Sequence, residues 1–81
     1  MTDKTTHLYD LGELDELLVE QTLKEVCNSL TEKGYDPINQ LTGYLMSGDP
    51  GYISSYQNAR NKIVGIERSK IIESLLRKGL K

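Results

Sequence analysis

The chain reads as all-α, and three observations predict that class. Apolar residues between Leu14 and Leu30 recur at i, i+3 and i+4; the pairs Asp36-Pro37 and Asp49-Pro50 mark helix starts; and Gly34, Gly48 and Gly79 follow the ends of periodic segments. No stretch alternates apolar and polar residues as a half-buried strand would, and there is no internal repeat or low-complexity region. The expectation is a small bundle of about four helices behind a flexible N-terminal tail.

Residues 1–10 are polar and Thr-rich without an apolar period. They cannot offset the entropy of ordering and are expected to form a mobile tail ahead of a single helical domain over residues 11–81. From Leu14 the residues Leu17, Leu18, Val19, Leu23, Val26, Cys27 and Leu30 outline the longest helix. Its first turn is acidic (Glu13, Asp15, Glu16), as the helix dipole favours, and Gly34 after Lys33 supplies a left-handed stop with a cation in the last turn.

A second helix is expected over Pro37–Ser47. Asp36 is its N-cap, Pro37 occupies the first helical position where a missing N–H costs nothing, and Gly48 ends it. Gly43 lies inside it at a cost of about 1 kcal/mol against alanine, so either another backbone crosses there or the glycine is merely tolerated. After the turn Asp49-Pro50-Gly51, with Tyr44 and Tyr52 packing across it, Ser54 or Ser55 can cap a third helix from Tyr56 to about Val64. A fourth runs from about Ile66 or Ser69 to Lys78, with Ile71, Ile72, Leu75 and Leu76 on its apolar face. Gly65 either separates the last two helices or bends one continuous helix.

An 81-residue domain buries only about 60 to 65% of its unfolded surface. The core is also thin in aromatics, with no Phe, no Trp and five Tyr. Dimerisation would relieve that shortage, through an apolar helix face containing Leu17, Leu18, Leu41 or Leu45. One cysteine, Cys27, excludes an intrachain disulfide, and one histidine, His7, leaves no ligand set for structural zinc. At helical spacing with Leu23 and Leu30, Cys27 reads as a small core hydrophobe rather than a redox group. There is no signal-like or membrane-spanning run, so the expectation is a cytoplasmic protein without membrane insertion.

The net charge of −2 hides a polarised distribution. Residues 1–50 hold ten acids against three bases, a net −7; residues 51–81 hold two acids against seven bases, a net +5. Either an acidic helix packs beside a basic one, or the basic half attracts phosphate or nucleic acid. The carboxylates Glu13, Asp15, Glu16 and Glu20 read as the solvated flank of a helix start rather than a cation site. Ser-Gly-Asp-Pro-Gly at 47–51 lacks the lysine and the strand-to-helix setting of a phosphate loop. With His7 in the tail and Cys27 on a core face, nothing supplies a catalytic acid, base or nucleophile, and no cofactor or metal is called for.

The run Lys33-Gly34-Tyr35-Asp36-Pro37-Ile38-Asn39-Gln40, continued by Gly43-Tyr44, Ser47-Gly48-Asp49-Pro50, Tyr52-Ile53 and Ala59-Arg60-Asn61, closely resembles the IreB family of small bacterial regulatory phosphoproteins. The resemblance covers nearly the whole chain. It implies a helical, homodimeric, non-enzymatic protein, phosphorylated on N-terminal threonines by a membrane-bound Ser/Thr kinase that monitors the cell wall, with a cognate phosphatase and a downstream protein partner. Within it, Gly34, Tyr35, Pro37, Asn39, Gln40, Gly43, Tyr44, Gly48, Asp49, Pro50, Tyr52, Arg60 and Asn61 are expected to be structural. Thr2-Asp3-Lys4-Thr5 fits the family's T-D-x-T spacing, which implies Thr2 and Thr5 as phosphorylation sites; Thr6 has no such match. The tail lacks the family's Phe after the threonines and has Leu8-Tyr9-Asp10-Leu11 instead, and Thr5 is the preferred site.

Phosphate adds about −1.5 to −2 charges and three strong acceptors. Arg60, Lys62, Arg68 and Lys70, with Arg77 and Lys78 beyond, are the expected docking groups. The regulatory reading places the protein in envelope stress or tolerance of wall-targeting antibiotics. The alternative is a helical nucleic-acid-binding module using the basic C-terminal half, against which the mildly acidic total and the absence of a recognition motif both weigh.

Overall fold

The computed structural model describes residues 11–81, with side chains from Asp15 onward. The expected tail, with Thr2 and Thr5, lies outside the described residues. Four α-helices and two single-turn 3-10 segments follow in order: α1 (Leu11–Glu32), α2 (Pro37–Ser47), a turn at Pro50–Tyr52, a turn at Tyr56–Asn58, α3 (Ala59–Val64) and α4 (Arg68–Gly79). Among the described residues there is no strand.

Helix α1 is the spine. Val19, Leu23, Val26 and Leu30, spaced to fall on one face, are buried against Leu41 and Tyr44 of α2, Ile53, Ala59 and Ile63 of α3, and Ile71 of α4. Burying an Ile or Leu side chain fully contributes about 1.5 to 3 kcal/mol, so Leu30, Ile53, Ile63 and Ile71, all fully buried, are the main sources of cohesion. Cys27, Leu45 and Ile66 pack on the cluster's edge. The helix ends as expected at Gly34, whose φ of +93° is left-handed. Gly34 N–H donates to Thr31 O at 2.9 Å and Tyr35 N–H to Leu30 O at 2.9 Å, which satisfies carbonyls that the last turn leaves open. Lys33 lies one residue past the helix, so the expected cation is absent from its last turn.

Helix α2 has the expected bounds. The Asp36 carboxylate accepts from Ile38 N–H at 3.0 Å and Asn39 N–H at 3.4 Å, and Gly48, at φ +78°, donates its N–H to Tyr44 O at 2.7 Å. Asp49 repeats the cap, accepting from Gly51 N–H at 2.8 Å, but only one 3-10 turn follows before Ile53 turns extended and enters the core.

The last third differs from the periodicity. The helix expected from Tyr56 to Val64 is interrupted, because Gln57 (φ 51°) and Asn58 (φ 67°) are both left-handed and α3 starts at Ala59. The kink has visible anchors: buried Ser29 donates its hydroxyl to Gln57 Oε1 at 2.7 Å, and Arg60 N–H returns to Ser54 O at 3.1 Å. Ser54, not Ser55, supplies a hydroxyl acceptor, taking Tyr56 N–H at 3.1 Å. Helices α3 and α4 are separate, since half-buried Ile66 turns onto the core and Glu67 is extended. On α4 only Ile71 and Ser74 are buried; Ile72, Leu75 and Leu76, expected to face the core, are 40, 42 and 53% exposed. The cause is architectural: α4 packs chiefly on α1, so a narrow stripe suffices to cover the contact.

Candidate functional site

Two assemblies hold the residues singled out by the sequence. The first is the unit from Gly34 to Asn61. Gly43 faces neither a crossing backbone nor open space. A Cβ built on it would stand 2.7 Å from Cε1 and 2.8 Å from Cγ of Tyr52, so the ring of Tyr52 lies flat against the helix where only glycine leaves room. From the next turn, Gln40 Oε1 accepts Ser54 N–H at 2.9 Å, and Tyr44 is buried beside Leu41. Arg60 Nε donates to Ile53 O at 2.8 Å, Asn61 Nδ2 to Asn58 Oδ1 at 3.1 Å, and Arg68 Nη1 to Leu45 O at 3.0 Å. The Arg68 guanidinium also covers Gly48, where a Cβ would lie 3.0 Å from Cζ, so it is a cation at the C-terminal end of α2. Pro37 and Pro50 open their segments and Asn39 contributes its N–H to the Asp36 cap; Tyr35 is exposed. These residues are caps, turn formers and braces.

The second assembly is the seam between α1 and the C-terminal helices. Lys70 Nζ lies 3.1 Å from Asp15, Arg77 Nε 2.8 Å from Glu16, Lys78 Nζ 3.4 Å from Glu20, and Lys62 Nζ 3.5 Å from Glu25. Hydrogen bonding to Asp15, then its charge, pushes the Lys70 ammonium above its ordinary pKa. All four pairs are solvent-exposed, and such pairs contribute about 0.2 to 1 kcal/mol apiece. Their effect is to align the helices rather than to hold them. The polarised charge of the sequence thus resolves largely within the chain: an acidic helix beside a basic one.

Of the four residues expected to dock phosphate, Arg60 and Arg68 are engaged by backbone carbonyls, and Lys62 and Lys70 by carboxylates. They do not converge on one site. Sequence reasoning gave Arg77 and Lys78 only a secondary place, yet from α4 they pair with Glu16 and Glu20 on adjacent turns of α1; the acids of α1 facing the bases of α4 were the available signal. Leu41 and Leu45, put forward for a subunit contact, are placed in and against the core, whereas Leu17 and Leu18 are 54 and 65% exposed.

Other reactive groups are few among the described residues. Partial burial raises the Cys27 thiol pKa, which disfavours the thiolate. Tyr56 donates its hydroxyl to Glu32 at 3.0 Å, a bond that raises the phenol's pKa, and Lys33 lies over its ring at 5.2 Å. An open groove of about 330 Å³ between α1 and the α3–α4 junction is lined by Asp15, Leu18, Val19, Ile66, Glu67 and Lys70. No group of three or more His, Cys, Asp or Glu side chains among the described residues is placed to hold a metal ion. None of the described helices is long and apolar enough to cross a membrane.

Comparison with protein families matches residues 3–81 to the IreB regulatory phosphoprotein family. The chain belongs to that family. The match spans both assemblies, and it begins at Asp3, so it includes Thr5 and leaves Thr2 outside. An IreB chain is a regulator by its family, which agrees with a fold whose motif residues shape turns and caps rather than line a pocket.

Proposed function

We propose that this protein is a non-enzymatic regulator whose N-terminal threonines, Thr5 before Thr2, are phosphorylated by a Ser/Thr kinase and restored by its phosphatase. The phosphate sets how the helical domain meets a downstream protein in the cytoplasm, in a pathway that answers envelope stress or wall-targeting antibiotics. The observation that carries this reading is the family match over residues 3–81. The resemblance of Thr2-Asp3-Lys4-Thr5 to the family's spacing supports the sites. Intact and fragment masses of the protein isolated from its own cells, with and without cell-wall stress, test it. Phosphate on Thr5 that rises or falls with stress is expected; a tail without phosphate under both conditions overturns the reading.

The reading includes a homodimer. Leu17 and Leu18 on α1, Ile72, Leu75 and Leu76 on α4, and Leu80 just beyond it leave more apolar surface in water than a domain with so thin a core can readily accommodate. Sedimentation equilibrium should give twice the chain mass, and Leu76→Glu should halve it. The internal pairing of Lys62, Lys70, Arg77 and Lys78 speaks against the nucleic-acid alternative, since phosphodiesters, with one charge each, would compete with four carboxylates of equal charge already in place.

A further inference from the structure

The bases on α4 that face the first turns of α1 stand within reach of the chain that enters α1. Residues 1–10 join the fold at Leu11, and Asp15, Glu16 and Glu20 follow four, five and nine residues later. At 1.5 Å per residue these carboxylates lie about 6 to 14 Å along the helix from Leu11. Thr5 lies six residue steps before Leu11, and an extended chain of that length spans about 20 Å. A group on Thr5 can therefore reach Lys70, Arg77 and Lys78, whose heads are all at the surface with side chains 46, 64 and 54% exposed. Lys62, Arg60 and Arg68 are not candidates of equal rank: Lys62 pairs farther along α1 at Glu25, and both arginines are held by carbonyls.

We infer that Arg77 and Lys78, flanked by Lys70, form the binding site for a phosphothreonine at position 5 of the same chain, the phosphate replacing the Glu16 and Glu20 carboxylates as their partner. This inference rests on the phosphorylation of Thr5 proposed above and names the site that receives it. The competition favours phosphate on chemical grounds. It carries up to two charges against one and three acceptor oxygens against two, and its oxygens match the planar fork of an arginine, which Glu16 meets at Nε at 2.8 Å. The acids that oppose docking are Asp15, Glu16, Glu20 and, on α4, Glu73, which lies 3.9 Å from Arg77. Their repulsion is why the site discriminates: a singly charged Asp or Glu at position 5 gains too little to displace them.

The unit affected is the α1–α4 seam. Helix α4 buries only Ile71 and Ser74, so re-pairing its bases changes the face that α1 and α4 present together.

The test uses the full chain with phosphothreonine installed at position 5 during synthesis, so that it does not depend on the cell's kinase. Phosphorus NMR titration gives the second pKa of the phosphate, ordinarily about 6, and proton–nitrogen correlation follows the Arg77 Nε–H. Docking predicts a phosphate pKa lowered by about half a unit or more relative to the Arg77→Ala, Lys78→Ala double variant, and a displaced Arg77 Nε–H signal against the unphosphorylated chain. Glu16→Gln, which removes the competitor, should lower the phosphate pKa further. An Arg77 Nε–H that does not move on phosphorylation overturns the inference. Phosphate missing from the protein of the cell would instead overturn the functional reading while leaving this measurement unaffected.

Discussion

Replacing Gly43 by alanine places two ordinary effects in opposition, and the structure decides between them. In an exposed helix interior the change should stabilise by about 1 kcal/mol, because glycine has the greater entropy to lose. Here the new methyl would stand 2.7 Å from Cε1 and 2.8 Å from Cγ of Tyr52, nearer than packed carbons approach. Because Cγ is the ring's root, the side chain must rotate away as a whole. Tyr52 is 52% exposed, so its ring covers about 100 Å² that becomes wet, a loss of about 2 to 2.5 kcal/mol. The net expectation is destabilisation by about 1 kcal/mol, or a Tm lower by about 4 to 8 °C for a domain of this size. Tyr52→Ala removes the obstacle, and in that background Gly43→Ala should stabilise by the full propensity difference. Thermal unfolding of the two single variants and the double variant, at one protein concentration, gives a coupling of about 2 kcal/mol. A coupling near zero, with alanine at 43 equally favourable in both backgrounds, would refute the steric argument and leave the glycine as merely tolerated.

Asp36→Ala removes the acceptor for Ile38 and Asn39 N–H and should cost about 1 kcal/mol in urea unfolding. Ile63→Ala, at a fully buried position, should cost about 2 to 5 kcal/mol, whereas Ile72→Ala, on the apolar period of α4 but 40% exposed, should cost far less; equal losses would contradict the exposed face of α4. Arg68→Ala removes both the donor to Leu45 O and the cover over Gly48, and should speed amide hydrogen exchange at the end of α2 with a stability loss of about 1 kcal/mol. Glu32→Gln should return the raised Tyr56 pKa toward that of an ordinary phenol, read by NMR of the ring. The sign follows from linkage: the folded-state pKa is the higher one, so the bond's contribution is complete below the unfolded phenol's pKa and disappears as pH rises through the folded value.

The sequence showed what local chemistry determines and missed what depends on partners distant in the chain. Asp36-Pro37 and Gly48 bound α2 correctly because a carboxylate cap, a proline and a left-handed glycine act within one turn. Asp49-Pro50-Gly51 is likewise the brief turn expected, and Ile53 leaves it because the core lies on that side. The break at Gln57-Asn58 was invisible, since glutamine does not favour a left-handed backbone and the hydroxyl that Gln57 accepts is donated by Ser29, 28 residues away. On α4 the apolar period is wider than the contact with α1, so periodicity assigned Ile72, Leu75 and Leu76 to a core that reaches only Ile71. For the candidate site, charge polarisation pointed to opposed helices but could not say which base meets which acid. Rotation of α4 about its axis settles that, and it brings forward Arg77 and Lys78 while Arg60 and Arg68 bind carbonyls.

The placement of the spine at the beginning of the chain has a consequence for synthesis. Helix α1 leaves the ribosome first, yet every surface that covers its apolar stripe comes later: Leu41 and Tyr44, then Ile53, Ala59 and Ile63, and last Ile71. At about 5 to 20 residues per second, Val19 waits several seconds before Ile71 has been made, and longer until it clears the exit tunnel. During that interval α1 lacks the full set of partners that cover its stripe. It is in that window that a chaperone or a neighbouring nascent chain would find it.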